Sequence, residues 1–301
     1  MMNVVIALFP LIILIAMGYI FKRTQFLTDE FWPSAEKLNY LILFPVLLFN
    51  NLAYIKLELA TINQVLLALF IIIIISALTL WVARAFFHIP IARFGVYVQS
   101  QIRFNTYIGL SIMSLLFGAQ GMQIFAMMIA LAIPLVNVIS VLAFSQGQGL
   151  NPTQILFSLM KNPLILGCLV GIIFNLLQLS LFSGLEQLFK ILASMSLPLG
   201  LICVGAALQF TELKHDYSRL LLNTLGRLIV MPCLAYLICY VLNLNQFETI
   251  ILVVFFALPT ASASYILTRY FNGDSQLMAG VISLQTLCFA VTFPVLMILL
   301  S

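Results

Sequence analysis

Two stretches of the chain set small polar residues, glycine and proline inside apolar runs: Arg103-Phe-Asn-Thr-Tyr-Ile-Gly-Leu-Ser111 and Ala257-Leu-Pro-Thr-Ala-Ser-Ala-Ser264. Pro259 has no amide hydrogen and its ring clashes with the carbonyl four residues earlier, so a helix through it must break or kink. A helix interrupted in this way turns free N–H groups and the positive end of its dipole toward the break, which suits an anion such as a carboxylate. Asn105, Thr106, Gly109, Pro259, Thr260, Ser262 and Ser264 are therefore the candidate binding residues. The competing reading is an ordinary proline kink whose small residues let neighbouring helices pack closely.

Arg103 and Arg227 are cations within apolar runs. A cation at bilayer depth costs about 2.5–3.5 kcal/mol, so each must face protein or water. Arg103 either draws an anion inward or snorkels to the headgroups. The same choice applies to Arg227, beside which the sequence shows no interrupted run. Asn137 and Gln285 either line a cavity or hydrogen-bond between helices.

Other chemistry is missing. All nine carboxylates (Asp29, Glu30, Glu36, Glu58, Glu186, Glu212, Asp216, Glu248 and Asp274) fall in loops or near the ends of apolar runs. An antiporter that cycles a proton or sodium on a midplane carboxylate has no candidate here. Cys168, Cys203, Cys233, Cys239 and Cys288 lie in apolar runs without ligand-like spacing and read as small buried apolar side chains. His88 and His215 stand alone beside basic loop residues. With no nucleophile–base pair and no metal-ligand pattern, neither an enzyme, a metal nor a cofactor is expected.

The elements that must position these residues follow from composition. The chain is 63% hydrophobic and has 13 Lys and Arg against 9 Asp and Glu in 301 residues, too few charges to cover a water-facing surface. Apolar runs at about 3–21, 36–55, 62–87, 95–117, 121–144, 156–177, 188–209, 218–242, 247–270 and 276–300 predict an all-α polytopic membrane protein of ten spans. With the N-terminus outside, Lys22, Arg23, Lys37, Arg84, Arg93, Lys161, Lys214, Arg219 and Arg269 all fall on the cytoplasmic side, against Lys56 and Lys190 outside. Basic residues favour the cytoplasm, so both termini are expected outside. The cations form no patch, and no nucleic-acid partner is expected.

The Gly- and Gln-containing stretch at 145–155 predicts a cytoplasmic linker between two five-span halves, 1–144 and 156–301. Pro10-Leu-Ile-Ile-Leu-Ile-Ala-Met-Gly-Tyr-Ile-Phe21 and Pro163-Leu-Ile-Leu-Gly-Cys-Leu-Val-Gly-Ile-Ile-Phe174 share six of twelve residues at an offset of 153. The same offset pairs Lys37 with Lys190, Pro45 with Pro198 and Ala53 with Ala206. Halves with an odd number of spans must be inverted relative to one another, and inverted repeats are the architecture of secondary transporters.

At these residues the chain resembles the auxin efflux carrier family, which includes plant PIN-type carriers and bacterial malonate- or malate-type permeases. The resemblance covers essentially the whole chain. Its marks are Asn105-Thr106 with Gly109, Leu258-Pro259, and Lys161-Asn162-Pro163 opening the sixth span. It implies a fold like that of sodium/proton antiporters and bile-acid symporters, with crossed broken helices in spans 4 and 9 and an elevator-like motion. It further implies a carboxylate held at the crossover by Asn105, Thr106 and Pro259, and it allows a homodimer. Phe104 stands where the plant carriers have proline, so the fourth-span break rests on Asn105 and Gly109. The long phosphorylated loop of many plant members is absent, and the short loop argues against auxin as the physiological substrate.

The expected function is therefore inner-membrane secondary transport of a small organic anion, a mono- or dicarboxylate. The rivals are a sodium-coupled bile-acid-type symporter, for which Ser262, Ser264 and Gln285 are thin material, and a non-transporting membrane sensor.

Overall fold

A computed structural model of the chain describes residues 2–54, 59–144, 162–211 and 216–300. The 145–155 linker, Lys56, Lys161, Lys214 and His215 lie outside the described residues. Where a helix that passes through a π turn is counted once, the described residues form twelve helices and no strand. They are α1 (Met2–Arg23), α2 (31–53, with a π turn at Asn39–Leu43), α3 (Leu59–Phe87), α4 (Ile91–Ile102), α5 (106–117, ending in the π turn Met113–Phe117) and α6 (Gly118–Phe144). The second half holds α7 (Pro163–Leu176), α8 (Ser183–Ala206), α9 (Tyr217–Val241, with a π turn at Gly226–Val230), α10 (Gln246–Ala257), α11 (Ala263–Tyr270) and α12 (Ser275–Leu300). The second apolar run starts its helix earlier than its hydropathy suggests, at Phe31, because the Phe-Trp-Pro opening is itself apolar.

The segments Asn63–Phe87, Ile91–Phe144, Ser183–Ala206, Tyr217–Val241 and Ser275–Leu300 are long and apolar enough to cross a membrane. Large apolar side chains such as Phe9, Phe86, Leu222 and Tyr240 point outward, while Gln99, Asn105, Asn223, Arg227 and Gln285 are buried. Polar groups inside and apolar groups outside is the arrangement a lipid solvent demands. Of the cysteines, Cys168 and Cys239 are buried, but Cys233 is exposed on the outer face of α9, contrary to its reading as a core residue. An apolar run supplies lipid-facing as well as inward positions, and composition does not separate them.

Local signals start several helices. Asn162 accepts from the N–H groups of Leu164 and Ile165 at the head of α7, with Pro163 at the first helical position. Asn245 and Glu248 form a capping box on α10.

In one group of helices α1 packs along α8 and α2 along α7. The other contains α3, the interrupted pairs α4/α5 and α10/α11, and α6, α9 and α12. A Phe104–Phe255–Phe125 cluster sits at its centre, the first two rings 4.1 Å apart. Gly18 of α1 lies against the Ile202 carbonyl of α8, and Gly171 of α7 against the Phe49 carbonyl of α2. Residues 18 and 171, and residues 49 and 202, are each separated by the 153 residues that relate the two apolar segments in the sequence.

Gly205 faces the Ile15 carbonyl in the same α1–α8 crossing, so two glycines allow backbone to meet backbone. A methyl group at Gly18 would enter the Ile202 carbonyl, which no rotamer change can move aside. Gly18→Ala is expected to destabilise by about 1–3 kcal/mol through overpacking, read as a lower melting temperature of the detergent-purified protein. An unchanged melting temperature would show that the α1–α8 crossing is looser than this.

Candidate functional site

The fourth apolar run breaks at residues 103–105. Arg103 and Asn105 adopt extended backbone (ψ 147° and 102°), separating α4 from α5 without a proline. Asn105 then restarts the helix as its N-cap, Oδ1 accepting from the Ile108 N–H at 3.1 Å. The ninth run ends at Ala257 and resumes at Ala263, with Leu258 extended and Pro259 in the gap. The two gaps touch directly: the Asn105 N–H donates to the Pro259 carbonyl at 2.8 Å.

Beside this crossing lies a cavity of about 870 Å³. Arg103, Asn105, Thr106, Asn137 and Ser262 all line it, together with Ala261 and Ala263 at the head of α11. The starts of α5 and α11 thus open onto one space and bring the positive ends of both dipoles to it, although the Ile108, Ser264 and Tyr265 N–H groups already donate to Asn105 Oδ1 and to the carbonyls of Ala261 and Ser262. Tyr40, Phe44, Phe104 and Tyr107 supply aromatic walls, and Glu36, Lys37 and Asn162 complete the polar lining. The arrangement can hold an anionic group at one end and a carbon skeleton against the rings.

Other candidates sit elsewhere. Gly109 is inside α5, where a Cβ would strike the Phe125 ring and Leu258, so it permits close packing and does not make the break. Pro259 and Thr260 are buried behind the crossing, outside the cavity lining. The Thr260 N–H donates to Gln285 Oε1 at 2.9 Å, and Gln285 Nε2 donates to Asn223 Oδ1 at 3.1 Å. Gln285 is fully buried and bridges helices, the second of the two roles open to it. Ser264 is fully buried, and among the described residues its hydroxyl has no hydrogen-bond partner.

Arg227 is fully buried in the π turn of α9. Its Nε donates to the Leu258 carbonyl at 2.7 Å, Nη1 to the Gln101 carbonyl, and Nη2 to the Phe255 carbonyl at 3.5 Å. Those carbonyls belong to the C-terminal ends of α4 and α10, which carry negative partial charge and lack intrahelical donors. Contrary to the sequence, which shows no interrupted helix near it, Arg227 joins both breaks from behind. Its guanidinium is engaged there and is absent from the cavity lining.

Gln99, Gln101, Asn223 and Thr268 were not singled out as site residues, yet they extend this buried network. Gln99 donates to the Thr268 hydroxyl at 2.9 Å and Gln101 to Asn223 Oδ1 at 3.1 Å. The available signal was two glutamines within one turn of Arg103 in an apolar run.

With this geometry in place, residues 150–297 match the family described as membrane transport protein, which bears out the resemblance drawn from the sequence. The chain is also similar to an uncharacterized transporter of Methanothermobacter thermautotrophicus, 24% identical over 289 residues that cover 94% of each protein.

Proposed function

Taking the membrane transport match of residues 150–297 as the premise, we propose that the chain is a secondary transporter of a small organic anion, a mono- or dicarboxylate, in the cytoplasmic membrane. The observation that carries this reading is the shared cavity, onto which Arg103 and the starts of α5 and α11 all open. A carboxylate there would accept from main-chain N–H groups, with Asn105, Thr106 and Ser262 orienting it. An inverted 5+5 architecture is supported by the two glycine contacts related by 153 residues, and it supplies two exchangeable states for alternating access.

Helices that alternate in direction put Lys22, Arg23, Lys37, Arg84, Arg93, Arg219 and Arg269 at one end of the molecule and Lys190 at the other, among the described residues. The end rich in cations is the cytoplasmic one by charge bias. The heads of α2 and α7 and the end of α11, which contribute to the cavity lining, belong to that end, which supports reading this conformation as inward-facing. An elevator motion would slide the crossover group past the α1–α2–α7–α8 group.

The test is charge movement or labelled uptake in reconstituted vesicles presented with malate, malonate, pyruvate and indole acetate. Flux of at least one acid is expected, unaffected by replacing sodium with choline. Arg103→Gln should raise the half-saturating concentration about tenfold, the loss of one partly screened cation. Unchanged affinity would return Arg103 to a snorkelling role, and binding without flux would mark a sensor.

A further inference from the structure

Glu36 is the one carboxylate that lines the cavity. It stands half-buried on the first turns of α2. Among the described residues, no hydrogen bond or ion pair engages it. The other carboxylates there are placed differently. Asp29, Glu186, Asp216 and Asp274 are ion-paired, Glu248 closes a capping box, and Glu30 is exposed. A carboxylate left without a partner in a half-dry cavity, beside the place an anion would occupy, is poised to change its protonation state.

Its surroundings can be named element by element. On its own helix, Lys37 is adjacent and Tyr40 is one turn away. Tyr107 of α5 and Cys203 of α8 are within its electrostatic reach. Arg103, at the break, is within electrostatic reach of Tyr40, and Asn162 of α7 lines the same cavity. Tyr270 lines the same cavity from the end of α11. Glu36 therefore sits between α2, α8 and α5, where the two groups of helices adjoin, and shares one space with Arg103.

We infer that Glu36 is the binding site for a proton that is transported together with the anion. The inference rests on the transport reading above. While Glu36 is ionised, its charge repels a carboxylate in the same cavity. A proton taken from water onto a Glu36 carboxylate oxygen removes that repulsion and leaves the anion to Arg103 and the helix starts. The same proton returns to water on the other face, and no bond between it and the anion is formed or broken. Linkage makes the effect reciprocal: protonation strengthens anion binding by the factor with which the anion strengthens protonation. For two charges about 10 Å apart at an effective dielectric constant of about 20, that factor is roughly tenfold.

The test uses the purified full chain in vesicles whose membrane potential is clamped with potassium and valinomycin, with labelled malate, malonate, pyruvate or indole acetate as probe. Counterflow at equal pH on both faces reports exchange alone, and accumulation under a one-unit pH gradient, acid on the side of uptake, reports coupling. With one proton per monoanion, that gradient supports accumulation up to about tenfold. Wild type is expected to show both activities, whereas Glu36→Gln keeps counterflow and loses gradient-driven accumulation. Wild-type counterflow with no response to the gradient, or a Glu36→Gln variant that accumulates like wild type, would overturn the inference. Absence of wild-type counterflow for every acid would instead overturn the transport reading on which it rests. If Glu36→Gln exchanges poorly, proton uptake on mixing detergent-solubilised protein with the acid decides. Uptake is expected in wild type and not in the variant, and equal uptake in both would overturn the proposal.

Discussion

Arg227→Met is expected to cost about 3–5 kcal/mol and to abolish transport, the largest effect of any single substitution in this chain. The side chain is fully buried and donates to the carbonyls of Gln101, Phe255 and Leu258. Methionine fills a similar volume but leaves all three acceptors without a donor, and each unsatisfied buried group carries a penalty of about 1–3 kcal/mol. Lost too is the positive charge that faces two helix C-termini. Arg227→Lys should fall between, because an ammonium keeps the charge but cannot present the guanidinium's fork of donors to three separated carbonyls. Thermal unfolding followed by size-exclusion recovery in detergent checks the order wild type, lysine, methionine. A methionine variant as stable as wild type would mean that water or another donor serves these carbonyls.

Asn105→Asp separates folding from anion transport. Asn105 caps α5 through Oδ1 and lines the cavity. Aspartate is as good a cap as asparagine, and its charge complements the positive start of the helix. Asn105 is buried, so the cost of desolvating the carboxylate offsets the gain from the helix dipole, and stability should stay close to that of wild type. The same charge repels a carboxylate lying on the helix start. At a separation of about 5 Å and an effective dielectric constant of about 20, this amounts to roughly 3 kcal/mol, or about a hundredfold in affinity. Asn105→Ala lacks the repulsion but loses the cap, at about 1 kcal/mol. Uptake abolished in the aspartate variant with its melting temperature intact supports an anionic substrate held at this helix start. Uptake preserved in that variant would exclude it.

Both breaks were legible in the sequence because they depend on local chemistry. Proline cannot continue a helix, and asparagine followed by a helical run is a cap. That the two breaks cross is what the family resemblance implied, and the backbones of Asn105 and Pro259 do meet. Asn137 was left with two roles, and the cavity selects one. Gly109 was misread as part of the break because glycine is equally a device for close packing, and only the position of Phe125 decides between them. Arg227 was illegible for a deeper reason. All three partners are main-chain carbonyls, 126, 28 and 31 residues away in sequence, and a carbonyl has no residue type by which to announce itself. Glu36 was set aside as a residue at the end of a run, since hydropathy cannot tell a mouth-lining carboxylate from a surface one.

The bond from the Asn105 amide to the Pro259 carbonyl has a consequence for anyone who maps this protein by mutagenesis. Every residue type but proline supplies the donor, and every residue type supplies the acceptor. An alanine scan would therefore pass over the joint without registering it, and drift at these two codons would leave it intact. Only Asn105→Pro deletes the donor, so the contact that ties the halves of the chain together at their centre is invisible to side-chain genetics except through that one substitution.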